Sequence, residues 1–188
     1  MDAVAILRID GASERSERLA GLEARYERLL RDHGPALRRS AAAYEFDPAR
    51  REDLFQDVCL AIWQALPRFR GESSERTFLF RIAHNRGLTH RARRPPSPTA
   101  DLNEAEEVAD PAATPEAAAH DVQRRARLRA AVRRLPLEPQ QVLTMTLEGL
   151  TPRDIADVLG ITENNVAVRL SRARRLLRDT LNAAGETA

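Results

Sequence analysis

In the stretch from Thr151 to Leu181, one helical face collects Asn164, Val168, Ser171, Arg172 and Arg175, with Asn165 and Arg169 on its flank. Amide, hydroxyl, methyl and guanidinium groups are what pair with base edges in a major groove and with phosphate oxygens. A second set runs through Arg76, Arg81, Arg86, Arg91, Arg93 and Arg94 without an intervening acid. Uncompensated arginines attract phosphate, because neutralising backbone charge releases counterions. A third set has different chemistry. Asp53, Gln56, Asp57, Leu60 and Gln64 fall on one side of a helix whose other side is Leu54, Phe55, Val58, Ile62, Ala65 and Leu66. A leucine among acids and amides suits a protein-docking face; a single tolerated exposed leucine is the plainer account and stands beside it.

The elements that must position these groups read as helices. Segments rich in Ala, Leu, Arg and Glu carry apolar residues at helical period, and no run of alternating β-branched residues appears. Leu22, Tyr26, Leu29 and Leu30, then Leu37, Ala41 and Tyr44, share such a period, with a break or bend expected at Gly34-Pro35. Asp47 followed by Pro48 reads as an N-cap with proline in the first turn, and that helix should end at Pro67. After a polar loop from Phe69 to Ser74, a helix from Glu75 to about Arg94 should carry Phe78, Leu79, Ile82 and Ala83 into a core. Pro95-Pro96-Ser97-Pro98 stops it. Helices resume from about Asp121 to Arg134 and from Gln140 to Glu148.

Beyond them, Thr151-Pro152-Arg153-Asp154 has the form of a capping box with Asp in place of Glu. Gly160 suits a left-handed helix end and Thr162 a second cap. Val166, Leu170, Ala173, Leu177 and Leu181 then form one apolar stripe. Two short helices meeting at a tight turn, the second with a polar and basic outer face, make a helix-turn-helix.

Basic residues number 30 and acidic residues 28, a formal net charge of +2. No lysine is present, so the isoelectric point, near 9.3, reflects arginine and says little about partners. The distribution says more. The first arginine run is followed by Asp101, Glu104, Glu106, Glu107, Asp110, Glu116 and Asp121 without a base, then by Arg124, Arg125, Arg127, Arg129, Arg133 and Arg134. Basic, acidic, basic is a domain, linker, domain pattern. The expected fold is therefore all-α: two small helical domains joined by a flexible acidic linker, with a helix-turn-helix in the C-terminal one. The divisions are an N-terminal extension (1–21), a first helical domain (22–94), a Pro/Ala-rich acidic linker (95–120), a second helical domain (121–183) and a tail (184–188).

The single Cys59 excludes an internal disulfide and builds no metal site with its neighbours. No glycine-rich phosphate loop or nucleophile elbow occurs, and His33, His84, His90 and His120 are scattered. No catalytic residue, metal or cofactor is expected, and the chain reads as a non-enzyme. His84 and His90 lie on the arginine-bearing helix and are expected chiefly as solvated polar positions. No stretch approaches the roughly 20 apolar residues of a membrane span, so no membrane insertion is expected and the reading is cytoplasmic.

On these residues the chain resembles a known family. Gly149 to Leu181, GLTPRDIADVLGITENNVAVRLSRARRLLRDTL, is similar to the C-terminal promoter-reading domain of bacterial extracytoplasmic-function sigma factors. Asp53 to Trp63, DLFQDVCLAIW, resembles the family's polymerase-docking helix, and Phe69 to Arg94 resembles its melting loop and helix. The resemblance spans about Leu22 to Leu181 apart from the linker, and makes 22–94 region 2 and 121–183 region 4.

The resemblance implies a partner, core RNA polymerase, docked by Asp53, Gln56, Asp57 and Leu60. It implies promoter DNA, with the minus-ten element bound by Phe69, Arg70, Ser73, Arg81 and Asn85, and the minus-thirty-five element by Asn165, Val168, Arg169, Ser171, Arg172 and Arg174. Among these, Arg169 and Arg174 would lie nearer phosphates. It also implies an anti-sigma factor as inhibitory partner, and a linker that threads the polymerase's RNA channel. Three positions depart from the family's usual residues: Phe78 stands for Trp, Thr89 for Asp and Ala167 for Lys or Arg. The alternative reading is a helix-turn-helix regulator that binds an operator without joining polymerase; a sequestering protein with no DNA role is opposed by the arginine run. A receiver domain, which such a regulator would carry, needs strands that the front half does not favour.

Overall fold

The computed structural model describes residues 3–93, 127–128 and 130–185. The linker expected at 95–120 and the start of the second domain at 121–126 lie outside the described residues. Among those described, every regular element is helical. We label them α1 (Ala3–Ala41), α2 (Pro48–Ala65), α3 (Glu75–Ala92), α4 (Leu137–Leu147), α5 (Pro152–Leu159) and α6 (Glu163–Gly185), with a short 3-10 turn, Leu66–Arg68, after α2.

The helix ends follow local chemistry. Asp47 accepts a hydrogen bond from Arg50 N at 2.9 Å, with Pro48 as the first residue of α2. Ser74 caps α3 by accepting from Thr77 N at 3.0 Å. At α5 the capping box is complete: Thr151 Oγ1 accepts from Asp154 N at 3.2 Å and Asp154 Oδ2 accepts from Thr151 N at 3.2 Å. Gly160 ends α5 at φ +66, a conformation that costs an L side chain but not glycine. Thr162 accepts from Asn165 N at 3.2 Å at the start of α6.

The expected break at Gly34-Pro35 does not occur, because α1 runs unbroken through Pro35. Pro35 and Arg31, whose carbonyl would have accepted the missing N–H, are both exposed, so water can satisfy that group. The expected extension 1–21 is, from Ala3, the start of that same helix. Similarly α4 begins at Leu137 rather than Gln140, with Pro139 in the first turn, where no intrahelical N–H bond is lost.

α1 and α2 lie antiparallel. The Tyr26 and Trp63 rings meet edge-on at 5.2 Å, Tyr26 Oη donates to the Cys59 carbonyl at 3.2 Å, and the Arg38 guanidinium sits 4.1 Å over the Phe55 ring while pairing with Glu52. α3 packs against both, burying Leu79, Phe80 and Ala83. The turn after α1 is pinned by Glu45, which is fully buried. Its carboxylate accepts from Phe46 N at 2.9 Å and Asp47 N at 3.0 Å, and lies 3.0 Å from His90 Nε2. In the C-terminal group α6 packs on α4 and α5, with Val166 and Ala173 buried and a small satellite core of Leu135, Leu143 and Ala173.

The two groups do not stand apart. The largest apolar cluster runs from Leu29, Leu54 and Phe80 into Val142, Met145, Ile155 and Val166 without interruption. α3 is therefore covered on two sides, by α1 and α2 and by α5. At full burial a Phe contributes on the order of 2 to 3 kcal/mol, so Phe80 alone gives this seam weight.

Candidate nucleic-acid and polymerase interfaces

Asp53, Gln56, Asp57 and Leu60, the residues expected to dock polymerase, all stand exposed on α2, while Leu54, Val58 and Ile62 on its opposite side are buried. Leu60 is 55% exposed, so among the described residues more than half of its surface is left open.

The minus-ten candidates divide into two groups. Arg81 and Asn85, one turn apart on α3, are both exposed and share a face. Arg70 is exposed on the preceding loop, whereas Phe69 and Ser73 are half-buried. The Phe69 ring lies 4.4 Å from that of Phe78, tilted by 32°, with the Arg25 guanidinium 5.3 Å from its centroid. Phe69 therefore anchors the loop as much as it offers a surface.

Reading the sequence did not single out Arg25 and Arg28, yet they fix this region. Arg25 donates to Glu75 Oε1 from Nε at 3.1 Å and from Nη2 at 2.9 Å, and Arg28 Nη2 donates to Oε1 at 3.0 Å and Oε2 at 3.1 Å. The Arg28 hydrogen bond, then that of Arg25, holds the Glu75 carboxyl below its ordinary range against the effect of burial. The ionised Glu75 sits in the first turn of α3, where negative charge complements the helix dipole. The loop from Phe69 to Ser74 is thus held at both ends.

Two arginine-helix expectations change. Arg76, counted with the phosphate-attracting run, turns inward, with its guanidinium 6.0 Å from the Phe80 centroid and close to Gly149. Nor are His84 and His90 solvated. His84 is buried, with Nδ1 2.8 Å from Tyr44 Oη, and burial lowers its pKa; His90 pairs with Glu45. The helix turns both histidines toward the turn after α1, burying His84 and half-burying His90, and keeps Arg81, Asn85, Arg86 and Arg91 outside.

In the helix-turn-helix, Asn165, Val168, Ser171, Arg172 and Arg174 are exposed, and Val168 at 59% is conspicuous for an apolar side chain. Val166 and Ala173, the core side of the same helix, are buried. Arg169 differs from the rest. It is half-buried, its Nε donates to Asn165 Oδ1 at 2.9 Å and its Nη2 lies 3.4 Å from Glu138 Oε1. Bound this way it orients Asn165 rather than reaching outward for a phosphate. Among the described residues no group of His, Cys, Asp and Glu could hold a metal ion, and no helix is long and apolar enough to cross a membrane.

Comparison with known proteins agrees with this geometry. The model of the family described as Sigma-70 region 2 matches residues 29–95, and that of Sigma-70, region 4 matches residues 125–177. The chain is 32% identical over 174 residues to the ECF RNA polymerase sigma factor SigM of Mycobacterium tuberculosis, covering 89% of this chain and 85% of that protein. It is 29% identical over 175 residues to the RNA polymerase sigma factor CnrH of Cupriavidus metallidurans, covering 89% of this chain and 92% of that one. The structure of CnrH in complex with the cytosolic domain of CnrY superposes with a TM-score of 0.64 at 25% identity, covering 89% of this chain and 94% of that one. With two regional matches in order, a relative of this identity aligned along most of its length, and a shared all-helical fold, the chain belongs to the extracytoplasmic-function branch of the RNA polymerase sigma factors.

Proposed function

We propose that this sigma factor docks core RNA polymerase through Asp53, Gln56, Asp57 and Leu60. It then captures the nontemplate strand of a minus-ten element with Arg70, Arg81 and Asn85, on a loop anchored by Phe69 and Ser73, and reads a minus-thirty-five element with Val168, Ser171 and Arg172, supported by Asn165, Arg169 and Arg174. Region 2 is taken as 22–94 and region 4 as 121–183. Its role is stoichiometric and non-enzymatic: unstacking a base costs a few kcal/mol, which base and phosphate contacts offset without a chemical step. It works in the cytoplasm, where core polymerase and promoter meet. Because CnrH was solved with the cytosolic domain of CnrY, we extend to this chain an inhibitory protein partner, an anti-sigma factor.

The observation that carries the reading is the outer face of α6. Val168, Ser171 and Arg172 stand exposed on a helix whose inner residues, Val166 and Ala173, are 1% and 0% exposed, so the reading face is aimed by a rigid core. On this reading Arg172 meets base edges and Arg174 the flanking phosphates. We expect Arg172→Ala to cost about 1 to 3 kcal/mol at the preferred upstream element and to relax the preference there. Arg174→Ala should weaken all sites alike and reduce the salt slope by about 1. Titrating holoenzyme onto matched and mismatched promoters over a range of salt separates the two effects. Equal losses at every site for both variants would overturn the division of roles.

A further inference from the structure

Asn165 is the third residue of α6, in the N-terminal turn, where a recognition helix meets base edges. It shares the outer face with Val168 and Arg172, three and seven residues further on, and its backbone N–H is tied to Thr162 Oγ1 at 3.2 Å. Its side chain is not open on both sides. Arg169 Nε donates to Asn165 Oδ1 at 2.9 Å, one turn along the same helix. A guanidinium has donors and no acceptor, so the atom facing it must be the amide oxygen. That leaves the NH2 group, with its two donors, as the open half of the Asn165 amide.

Arg169 is itself held. It is half-buried, and its Nη2 lies 3.4 Å from Oε1 of Glu138, an exposed residue in the first turn of α4. Leu137 and Leu170, the sequence neighbours of these two charges, both pack against the core, so the packing of α4 on α6 brings the pair together. An ion pair of this kind contributes little to stability. Its consequence is direction: a guanidinium anchored at one end by Glu138 keeps its Nε turned toward Asn165. Glu138 lies outside the helix-turn-helix, and its sequence surroundings give no sign of this part.

The major groove sorts bases by this chemistry. Guanine presents two acceptors, O6 and N7, and thymine one, O4, beside its methyl group; adenine sets a donor, N6, next to its N7, and cytosine presents a donor, N4. An asparagine with both halves of its amide open pairs bidentately with adenine, giving N–H to N7 and taking N–H from N6. We propose that Asn165 instead reads guanine in the upstream element through its NH2 group, and that Arg169 and Glu138 are the positioning residues that set this preference by holding the amide oxygen. This rests on the promoter reading given above and deepens it at one base pair. To accept from adenine N6, Asn165 must share its oxygen with a cation or break from it, while the nearby positive charge favours an edge made of acceptors. Exclusion of water from the interface strengthens both effects, because the local dielectric falls. The difference of one hydrogen bond gives guanine a preference of roughly threefold to tenfold over adenine.

The test binds the full chain to core polymerase, selects promoter fragments with a randomised upstream element and sequences the DNA retained. Asn165→Ala marks the base pair concerned, as the one whose preference it flattens. At that pair the wild-type chain should favour guanine over adenine on the same strand. Arg169→Met, which keeps an unbranched apolar stem, should turn that pair toward adenine by about tenfold while the other positions of the element keep their preferences, a change that loss of fold cannot produce. Arg169→Lys, still a donor, should retain guanine, and Glu138→Ala should shift the pair as Arg169→Met does by a smaller factor. In an Asn165→Ala background, Arg169→Met should change nothing at that pair, since its effect passes through the amide. Any base but guanine preferred there by the wild type, no pair flattened by Asn165→Ala, no shift with Arg169→Met, or a loss spread evenly over the element overturns the proposal and leaves the promoter reading in place. A wild-type chain that retains no upstream element removes the promoter reading, and this assignment with it.

Discussion

Gly87→Ala is expected to destabilise this protein, although the same change elsewhere in a helix would strengthen it. A Cβ added at Gly87 would fall 2.4 Å from Tyr44 Cγ and 2.6 Å from both Cδ atoms. Real Cβ atoms essentially never come closer than 3.0 Å to such a neighbour, so the ring or the helix would have to move by at least about 0.6 Å. The ring cannot yield freely, since Tyr44 is 3% exposed and its hydroxyl is hydrogen-bonded to His84 Nδ1 at 2.8 Å. Overpacking costs about 1 to 3 kcal/mol, and a buried hydrogen bond lost with its partner left unsatisfied adds a similar amount. The helix-propensity gain of alanine over glycine offsets only about 1 kcal/mol. The net expectation is a loss of roughly 2 to 4 kcal/mol, or a fall in melting temperature on the order of 5 to 15 °C for a chain this size. Gly21→Ala is the control: nothing lies within 4 Å of its added Cβ, so its melting temperature should rise slightly. Thermal unfolding of the two variants side by side decides the matter, and a Gly87 variant as stable as the Gly21 one would mean that α3 and the end of α1 pack differently.

Leu60→Asp is expected to abolish polymerase docking while sparing the fold. At 55% exposure Leu60 contributes little to the core, so the melting temperature should stay within about 1 °C. At an interface the same side chain, sharing its helix face with Asp53, Gln56 and Asp57, suits an apolar anchor beside polar groups. Losing an anchor and burying a charge in its place should cost at least about 2 to 3 kcal/mol, a fall in affinity of roughly 30-fold to more than 100-fold. Fluorescence anisotropy of the labelled full chain with core polymerase reads this directly. Wild-type affinity in the variant would remove Leu60 from the docking face and return it to an ordinary exposed leucine.

Local signals in the sequence carried a long way. The caps at Asp47 and Thr151, the left-handed Gly160 and the Thr162 cap each rest on a few neighbouring residues whose chemistry is the same in any fold, and each forms as its residue types require. The outward faces of α2 and α6 were legible for the same reason, because one apolar stripe fixes where the remaining side chains point.

What stayed hidden depends on contacts between distant segments. Phe80, Thr77 and Arg76 lie off the stripe that Leu79 and Ala83 define, so periodicity alone leaves them outside; they are inside because a second layer, α5, covers that face. Likewise His84 and His90 read as polar positions on a basic helix, yet Tyr44 and Glu45, some 40 residues earlier, draw them in. Pro35 is read as a breaker because in isolation it costs a hydrogen bond, whereas here the packing of Ala36 and Leu37 on the same helix keeps it unbroken. For the candidate sites, residue types were legible but availability was not: Phe69 and Arg169 are each tied down by neighbours.

The central claim is that this chain gives core polymerase a promoter. Multiple-round run-off transcription with purified core polymerase on a library of promoter fragments, with and without the full chain, tests it most directly. We expect discrete transcripts that appear only with the chain, start at a fixed distance from a shared pair of upstream elements, and vanish with Leu60→Asp. A chain that binds those fragments but leaves core polymerase as inactive as before would contradict the account and favour an operator-binding regulator.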